Sequence, residues 1–318
     1  MKYAINTSTD PYFNMAFDEY CLQHFESEDS FFYLWRNSPA VIIGLNQNAY
    51  SEVNLEYLDS HGIKLARRVT GGGAVYHDLQ NMNYTFVGRS VSPQPFVDAL
   101  RSLGVDAELT GRNDIFVDGH KVSGYARRVW HDREIVHGTL MYDVDIDTLT
   151  KVLDVPGSKM EAKGIASVRS RVANLKDSLP QFSSLDEVQA ALQDILAAGD
   201  GQVVLSGEAL SEVRRMADGK FATWDWVYGH SREADFSRKA KLPCGTVEAA
   251  VSIDHGVITQ VKFRGDFLGD SPAAELEASL VGVPYDRRSV AGALAAAGVG
   301  KCFSRTSAEE LAELIVNQ

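Results

Sequence analysis

The chain has 318 residues, of which 45% are hydrophobic and 23% charged, and its formal net charge at pH 7 is -12. This composition excludes a disordered or fibrous protein, and the negative charge argues against binding to nucleic acid or an anionic membrane, which would be repelled. No window is apolar over the length of a bilayer span and the first residues lack the apolar region of a signal peptide, so we expect a cytoplasmic protein of two domains with no membrane segment.

The first half of the chain predicts alternating helices and strands. Asp10 before Pro11 is typical of a helix start, and apolar residues from Phe13 to Cys21 recur on one helical face. Residues 51–62 predict a second helix. Apolar runs bounded by turn residues predict strands at residues 31–35, 40–44, 63–69, 82–88, 113–119, 120–129 and 133–145. The last two strands are neighbours that can pair with each other.

The second half of the chain predicts a change of domain. Helical patterns cover residues 185–198 and 207–216, and short strands around turns follow residue 229. Residues 286–314 predict two helices. We therefore predict an α/β architecture with a catalytic domain at residues 1–232 and a small α+β accessory domain at residues 233–318.

Three consecutive glycines follow the strand at residues 63–69, in the stretch RRVTGGGAVYHD. Arg67, Arg68 and Thr70 place planar cations and a hydroxyl beside a backbone that can approach a ligand through bare amides, which suits an anionic group. The spacing matches neither a Walker loop nor a dinucleotide fingerprint. A hairpin turn or a flexible joint is the alternative, because glycine clusters often only supply positive φ angles.

A second group of candidate residues surrounds the turn between residues 114 and 121. Asn113 and Asp114 precede this turn, and Lys121 follows it on a predicted return strand. Such a lysine could hold an anion, although an exposed ion pair of little energetic value is the alternative.

Two further patterns carry candidate side chains. His137 and Thr139 alternate along a predicted strand and therefore share one face, although a lone strand histidine is usually structural. Arg169 and Arg171 lie within residues 164–175, which carry few helix or strand signals. A solvated basic loop is the alternative interpretation of that segment.

Five collinear blocks in residues 1–230 resemble lipoate-protein ligases: FYLWRNSPAVIIGLNQN, RRVTGGGAVYHDLQNMNYTF, GRNDIFVDGHKVSG, HGTLMYDVD and KGIASVRSRVANL. The remainder resembles the small accessory domain of the long bacterial form of that family. The resemblance implies a mixed-sheet α/β catalytic fold shared with biotin ligases and octanoyltransferases and related to the class II tRNA synthetase core, with a small α+β C-terminal domain.

The resemblance also implies an activity. Lipoate-protein ligases use ATP and Mg²⁺ to convert lipoate to lipoyl-AMP with release of pyrophosphate. They then transfer the lipoyl group to a lysine of a lipoyl carrier domain, either of a 2-oxoacid dehydrogenase acyltransferase subunit or of the glycine cleavage H protein. We expect a monomer.

Site residues follow from the resemblance position by position. It implies that the loop over the lipoyl and adenylate groups consists of Arg68, Thr70, Gly71, Gly72, Gly73, Ala74, Val75 and Tyr76, with Asn81 close by. It implies that Asn113 and Asp114 face the phosphates and Mg²⁺ and that Lys121, the catalytic residue, lies between the lipoate carboxylate and the α-phosphate. It implies that the bound intermediate is lined by Ala126, His137 and Thr139 and covered by the loop that carries Arg169 and Arg171.

These residue types suit the implied chemistry. A carboxylate must attack the α-phosphate of ATP, and fixed cations with Mg²⁺ make the approach of two anions tolerable. The adenylate must then be kept from water until the carrier lysine attacks. At Leu45 many relatives carry a basic residue, so a pyrophosphate contact is missing here or is supplied elsewhere.

Two alternatives remain open. An octanoyl or lipoyl transferase of the same fold acts through a cysteine thioester without ATP, but Cys21 falls on the apparently buried helix face, and Cys244 and Cys302 fall in the accessory domain. A noncatalytic lipoate-binding protein is expected to have lost Lys121 or Arg68, and both are present. A biotin ligase is disfavoured because its arginine- and glycine-rich loop is absent.

Overall fold

The computed structural model describes residues 1–24, 30–111, 113–153, 172–228, 236–254 and 256–316, without the side chains of Tyr50, Ser51 and Phe236. The strands are β1 (Lys2–Ala4), β2 (Phe31–Trp35), β3 (Ala40–Ile43), β4 (Lys64–Arg67), β5 (Val75–His77), β6 (Asn81–Gly88), β7 (Ala107–Thr110), β8 (Asp114–Val117), β9 (His120–Trp130), β10 (Arg133–Met141), β11 (Gln202–Val203), β12 (Phe236–Leu242), β13 (Gly245–Asp254) and β14 (Val257–Gly265). The helices are α1 (Pro11–His24), α2 (Ala49–Glu52), α3 (Leu55–Ser60), α4 (Gln94–Ser102), α5 (Ile146–Val152), α6 (Leu185–Ala197), α7 (Gly207–Met216), α8 (Trp224–Tyr228), α9 (Ala274–Leu280), α10 (Arg287–Ala296), α11 (Val299–Cys302) and α12 (Ala308–Val316). Within these ranges, no helix has the length and apolar character needed to cross a membrane.

Eight strands form one mixed sheet in the order β11-β1-β2-β6-β10-β9-β8-β7. β1 runs parallel to β11 and β2, and the remaining neighbours are antiparallel. The predicted β9–β10 hairpin turns at His131 and Asp132, where Trp130 lies opposite Arg133 and His131 has a φ of 53°. That left-handed residue allows the short connection between two twisted strands.

The central strands of this sheet have one apolar face. Cross-strand partners share a face, and successive side chains alternate between faces. Leu34, Tyr84 and Gly138 are paired in register on β2, β6 and β10, and the two side chains belong to a core that includes residues of α4 and α6. Tyr84 stacks on Phe96 of α4 with ring centroids 3.9 Å apart.

The opposite face of the same strands is polar and almost entirely buried. Register places on it Tyr33, Trp35, Asn83, Thr85, Ala126, His137 and Thr139. Helix α1 packs against β6 and β10 and contributes the buried Asp18. Buried polar groups are costly unless each finds a hydrogen-bond partner, so this face must be satisfied internally or by a ligand.

The chain divides into two compact units. The first unit comprises Met1–Ile42, Val53–Ala66 and Val75–Thr223, and the second comprises Ile43–Glu52, Arg67–Ala74 and Trp224–Gln318. In the second unit β12, β13 and β14 form an antiparallel sheet, and its core includes Phe267 stacked on Phe303 at 4.5 Å. The predicted boundary between residues 232 and 233 lies outside the described residues and stays a prediction.

Local sequence signals explain where the elements differ from expectation. The helix expected at residues 51–62 is wrong as one element: α2 and α3 are separate because the Asn54 side chain accepts a hydrogen bond from the Tyr57 amide and begins a new helix. The two helices expected at residues 286–314 are three, since Gly298 has a left-handed φ of 77° between α10 and α11. Helix α4 was not expected at all.

Gly138 is predicted to be intolerant of a side chain. A Cβ atom at this position would lie 2.4 Å from Oη and 2.5 Å from Cζ of Tyr84, whose ring is locked against Phe96. Overpacking of this kind costs about 1–3 kcal/mol, so we expect Gly138→Ala to lower the free energy of unfolding by that amount in urea denaturation. Gly201→Ala is the matched control, because no atom lies within 4 Å of its added Cβ. Equal urea midpoints for the two variants would contradict the prediction.

Candidate active site

The predicted site residues belong to both compact units. The first unit contains Val75, Tyr76, Asn81, Asn113, Asp114, Lys121, Ala126, His137 and Thr139. The second unit contains Arg68, Thr70, Gly71, Gly72, Gly73 and Ala74. Arg169 and Arg171 lie outside the described residues.

The β8–β9 hairpin brings Lys121 to Asp114. Its turn contains Asp118 and Gly119 with φ angles of 50° and 78°, which suits a tight hairpin. Nζ of Lys121 lies 2.6 Å from Oδ1 of Asp114, and the side chains are 37% and 24% exposed. A Cβ at Gly124 would lie 3.1 Å from that Nζ, so the glycine leaves room for the amine over the sheet. The lysine is therefore a positioned cation with access to solvent.

Backbone contacts link Lys121 and Asn113 to neighbouring segments. The Lys121 carbonyl accepts a hydrogen bond of 3.0 Å from the Ala173 amide, and Val172 forms a parallel bridge with Lys121. The Asn113 amide group donates to the Tyr125 carbonyl at 2.7 Å. Asn113 thus holds the hairpin, and two of the last residues of the predicted arginine loop, Val172 and Ala173, lie beside the lysine.

Polar side chains on this sheet face form hydrogen bonds with one another and with the neighbouring backbone. Nδ2 of Asn81 donates to Oδ1 of Asn83 at 3.1 Å, and Nδ2 of Asn83 donates to the Trp35 carbonyl at 3.4 Å. The Gly124 amide donates to Oγ1 of Thr139 at 3.4 Å. The expectation that His137 and Thr139 share a face is confirmed by their register with Thr85 and Asn83.

Sequence reasoning missed two acidic residues of α1 beneath this face. Asp18 lies 2.6 Å from Nδ1 of His137, and Glu19 accepts hydrogen bonds of 2.8 and 2.6 Å from Nζ of Lys220. Arg128 lies 3.9 Å from Glu19, and burial lowers the pKa of its guanidinium while Glu19 opposes that shift. An acidic pair within an otherwise apolar helical pattern was the available signal.

The glycine loop in the second unit is braced by Arg68. Its guanidinium donates to Oγ1 of Thr70 at 3.1 Å and to the carbonyls of Gly71 and Gly73 at 2.7 and 2.9 Å. Because a trans peptide points its C=O and N–H in opposite directions, the amides of Gly72 and Ala74 point away from Arg68. The Gly72 amide donates to the Phe267 carbonyl at 3.1 Å.

Close backbone approach explains Gly71 in this loop and the neighbouring Gly44, and a left-handed backbone explains Gly72. A Cβ at Gly44 would lie 2.0 Å from the Gly72 carbonyl oxygen, and one at Gly71 would lie 2.5 Å from the Phe267 carbonyl oxygen. Gly72 itself has a φ of 96°, a conformation that side chains rarely allow. The triglycine is therefore more than a flexible joint.

Arg67 has a different position from the one its sequence context suggests. It is fully buried, and burial lowers its pKa to about 10, which still leaves it charged at neutral pH. Its guanidinium donates at 2.5–3.0 Å to the backbone carbonyls of Gly44, Leu45, Gln47, Trp226 and Val227. The indole of Trp226 donates back to the Arg67 carbonyl at 2.9 Å. Grouping Arg67 with the ligand-binding cations was wrong, because its donors are used by the backbone.

Comparison with known proteins gives this arrangement a family. Residues 10–197 match the lipoyl protein ligase A/B catalytic domain, and residues 231–315 match the bacterial lipoate protein ligase C-terminus. The lipoate-protein ligase LplJ of Bacillus subtilis is 36% identical, with 96% of this chain and 97% of that protein covered. Lipoate-protein ligase 1 of Staphylococcus aureus is 37% identical, with 99% of this chain and 100% of that protein covered.

Solved structures of lipoate-protein ligases also resemble this chain. The bipartite lipoate protein ligase of Thermoplasma acidophilum, described with its E2 lipoyl domain, is 31% identical with a TM-score of 0.66 over 74% of this chain and 98% of that chain. A lipoate-protein ligase A bound with ATP is 30% identical with a TM-score of 0.62 over 72% of this chain and 98% of that chain. These matches define a ligase with a mixed α/β catalytic domain. The chain belongs to the lipoate-protein ligase family, which confirms the resemblance and the fold class.

Arg67 is predicted to be structural. Lysine has three donors and cannot satisfy all the carbonyls that Arg67 binds, and each buried acceptor left without a partner costs about 1–3 kcal/mol. We expect Arg67→Lys to lower the free energy of unfolding by at least about 2 kcal/mol, measured by urea denaturation. The control is Arg287→Lys, because that arginine is exposed and pairs with exposed Glu313. A similar loss of stability in both variants would refute the assignment.

Proposed function

We propose that this protein is an ATP-dependent lipoate-protein ligase that forms lipoyl-AMP, releases pyrophosphate and transfers the lipoyl group to a lysine of a carrier domain. The observation that carries the proposal is the partly exposed Lys121–Asp114 pair at 2.6 Å in a chain related to lipoate-protein ligases over nearly its whole length. We also propose that the catalytic domain ends at residue 232 and that the accessory domain begins at residue 233.

Lys121 is the proposed catalytic residue of the first step. A lipoate carboxylate oxygen attacks the α-phosphorus of ATP, an O–P bond forms, and the bond to the bridging oxygen breaks as pyrophosphate leaves. Two anions meet in this step, and a compact ammonium beside them offsets the charge that develops. Gly124 supports this role because it leaves space for the amine.

The glycine loop is proposed to hold the anionic groups of the same reaction. Arg68 draws the carbonyls of Gly71 and Gly73 towards itself, so the Ala74 amide is directed away from it as a donor. Consecutive amides in such a loop bind phosphate or carboxylate oxygens. The proposed loop residues are Arg68, Thr70, Gly71, Gly72, Gly73, Ala74, Val75 and Tyr76, with Asn81, Asn113, Ala126, His137 and Thr139 as further contacts.

Asp114 is the proposed protein ligand for Mg²⁺. In the part of the chain that the structure describes, no three His, Cys, Asp or Glu side chains form a metal-binding group. One carboxylate fits the ion, because Mg²⁺ is commonly held by one or two carboxylates together with substrate phosphates. When bound, the ion would neutralise phosphate charge.

Carrier domains are the proposed acceptors. The support is the family membership and the related archaeal ligase described with its E2 lipoyl domain. We propose lipoyl domains of 2-oxoacid dehydrogenases and the glycine cleavage H protein as partners.

Three further features complete the proposal. Arg169 and Arg171 are proposed to cover the adenylate, and the protein is proposed to act as a monomer. A cytoplasmic location is proposed because three free, buried cysteines suit a reducing compartment.

A thioester-forming transferase is the second candidate, and the chemistry of the cysteines opposes it. Burial, with Asp18 adding to it, raises the pKa of Cys21 well above its usual range. Burial raises the pKa of Cys302 to about 11, and Cys244 is buried. A thiol that stays protonated is a poor nucleophile.

Lys121→Met is expected to slow pyrophosphate release from ATP, lipoate and Mg²⁺ by about 100-fold or more, as loss of one charge-stabilising donor does. Lys176→Met is the control, because Lys176 also pairs with an aspartate, Asp143 at 2.7 Å, but is largely exposed. Turnover of Lys121→Met within a few-fold of this control would remove Lys121 from its proposed role.

The acyl intermediate is expected to be noncovalent. After incubation with ATP, lipoate and Mg²⁺, denaturing mass spectrometry should give the mass of the unmodified chain, while the filtrate contains lipoyl-AMP. Octanoyl or lipoyl transfer from an acylated carrier in the absence of ATP should not occur. A hydroxylamine-sensitive mass increase, lost in Cys21→Ala, would favour the transferase.

A further inference from the structure

The β8–β9 hairpin has one residue more on β9 than on β8. From the sheet towards the turn, the residues that lie opposite each other are Asp114 and Gly124, Ile115 and Ser123, Phe116 and Lys121, and Val117 and His120. Val122 falls between the second and third of these pairs, where the register shifts, and has no counterpart on β8. An extra residue of this kind is a β-bulge, and bulges beside active sites change the direction in which a side chain points.

The bulge decides the face of the sheet on which Lys121 lies. Side chains alternate between the two faces of a regular strand, so Lys121 and Gly124, three positions apart, would lie on opposite faces. Their partners Phe116 and Asp114 are two positions apart on β8 and share a face. Because of the extra residue, Lys121 shares that face too, and its Nζ lies 2.6 Å from Oδ1 of Asp114 and 3.1 Å from the Cβ position of Gly124.

A regular register would direct the same lysine to the core. If the pairs nearer the sheet stayed and the bulge were absent, Val122 would take the place opposite Phe116. Lys121 would then lie opposite Val117, which belongs to the apolar core of the first unit. An ammonium group that faces this core loses both its ion pair and its hydration. Val122 is itself 1% exposed and belongs to the same core, so the bulge gives both residues the environment that their side chains require.

Both ends of the hairpin are fixed, and this makes the bulge necessary. At the turn, Asp118 and Gly119 have φ angles of 50° and 78°, and positive values at both positions are those of a two-residue turn that closes a hairpin. At the other end, the Tyr125 amide donates to the Asn113 carbonyl at 2.9 Å, and the Asn113 side chain donates to the Tyr125 carbonyl at 2.7 Å. Between these ends β9 has one residue more than β8, so one residue is left unpaired.

Backbone contacts hold Lys121 to a further segment of the chain. Val172 forms a parallel bridge with Lys121, and the Ala173 amide donates to the Lys121 carbonyl at 3.0 Å. Backbone contacts of this kind involve no side-chain atom, so any residue that lies opposite Phe116 can make them. A variant that places a different residue opposite Phe116 therefore keeps them.

We propose that the β-bulge at Val122 places the Lys121 amine on the face of the sheet where the adenylate forms, with Val122 as a positioning residue. The inference rests on the proposed role of Lys121 in the first step. Consecutive side chains face opposite sides in either register, and the bulge selects the register in which the valine enters the core and the lysine reaches Asp114. The position of the catalytic charge thus depends on strand register as well as on residue type.

Deletion of single residues from β9 tests the proposal, because the bulge can be removed in two different ways. Without Val122, the hairpin becomes regular and Lys121 stays opposite Phe116, on the site face. Without His120, the hairpin also becomes regular, but Lys121 closes it opposite Val117 and faces the core. Both deletions shorten β9 by one residue and keep the two-residue turn.

The two deletions should differ in the first step of the reaction. Pyrophosphate release from ATP, lipoate and Mg²⁺ should stay within about tenfold of the wild type without Val122 and fall by about 100-fold or more without His120, as loss of a charge-stabilising donor does. Equal rates in the two variants, whether slow or fast, would show that the register does not place Lys121, and the proposal would fail.

An exchange of two residues is the matched control for damage to the hairpin. In the His120 deletion, Lys121→Val together with Val122→Lys keeps the composition and the length and only reverses the order of the two residues. The lysine then lies opposite Phe116 again, and we expect pyrophosphate release to recover by about tenfold or more. This comparison holds even if deletion of Val122 prevents folding. No recovery, in a variant whose circular dichroism matches that of the His120 deletion, would overturn the proposal.

A readout of the register does not depend on activity. Residues directly opposite on antiparallel strands have Cα atoms about 4.5–5.5 Å apart, a distance that a disulfide spans. In the full-length chain, Phe116→Cys with Lys121→Cys should cross-link on oxidation, and Phe116→Cys with Val122→Cys should not, as measured by mass spectrometry of proteolytic fragments. The reverse pattern would overturn the proposal. If the cross-links are as expected and the wild type releases no pyrophosphate, the proposed function fails and the register does not.

Discussion

Burial of polar groups is the constraint on which the first unit depends. The strands β2, β6, β9 and β10 carry apolar side chains on one face and polar ones on the other, and α1 packs over the polar face. An unpaired buried carboxylate or hydroxyl would cost more than one hydrogen bond returns, so each member has a single workable orientation. The chain from Trp35 through Thr85 to Asp18 is directional for that reason. The hydrogen bonds of this face are therefore a requirement of folding.

The same constraint gives two adjacent arginines of the second unit different hydrogen-bond partners. Arg67 and Arg68 are both buried and both have a pKa lowered to about 10 by burial, yet they bind different parts of the backbone. Arg67 gathers carbonyls from two distant segments and cannot be redirected without leaving them unsatisfied. Arg68 binds the carbonyls of the glycine loop and thereby orients its amides. The cation that shapes the loop need not itself touch an anion.

Sequence patterns predicted elements whose signals are local and missed features that depend on distant partners. Apolar runs located β2 and β3, and the Asp10–Pro11 start located α1, because each signal lies within its own element. The parallel pairing of β1 with β11 joins residues at opposite ends of the first unit, and no local pattern encodes it. Asp18 had no visible role because its partner His137 is far along the chain. Lys121 and Asp114 were found together because a hairpin makes them neighbours in both sequence and space.

Solvent exposure decides which positively charged side chains are able to bind a ligand. Lys121 is 37% exposed and held by one ion pair, which in contact with solvent contributes at most about 1 kcal/mol. An arriving phosphate or carboxylate can therefore replace or share Asp114 at little cost in free energy. Arg67 is fully buried, and every one of its carbonyl contacts would have to be broken before it could bind a ligand. A cation that is to bind a substrate anion must be able to exchange its internal partner, and Lys121, which pairs with Asp114 beside Gly124 on a hairpin strand, meets that condition.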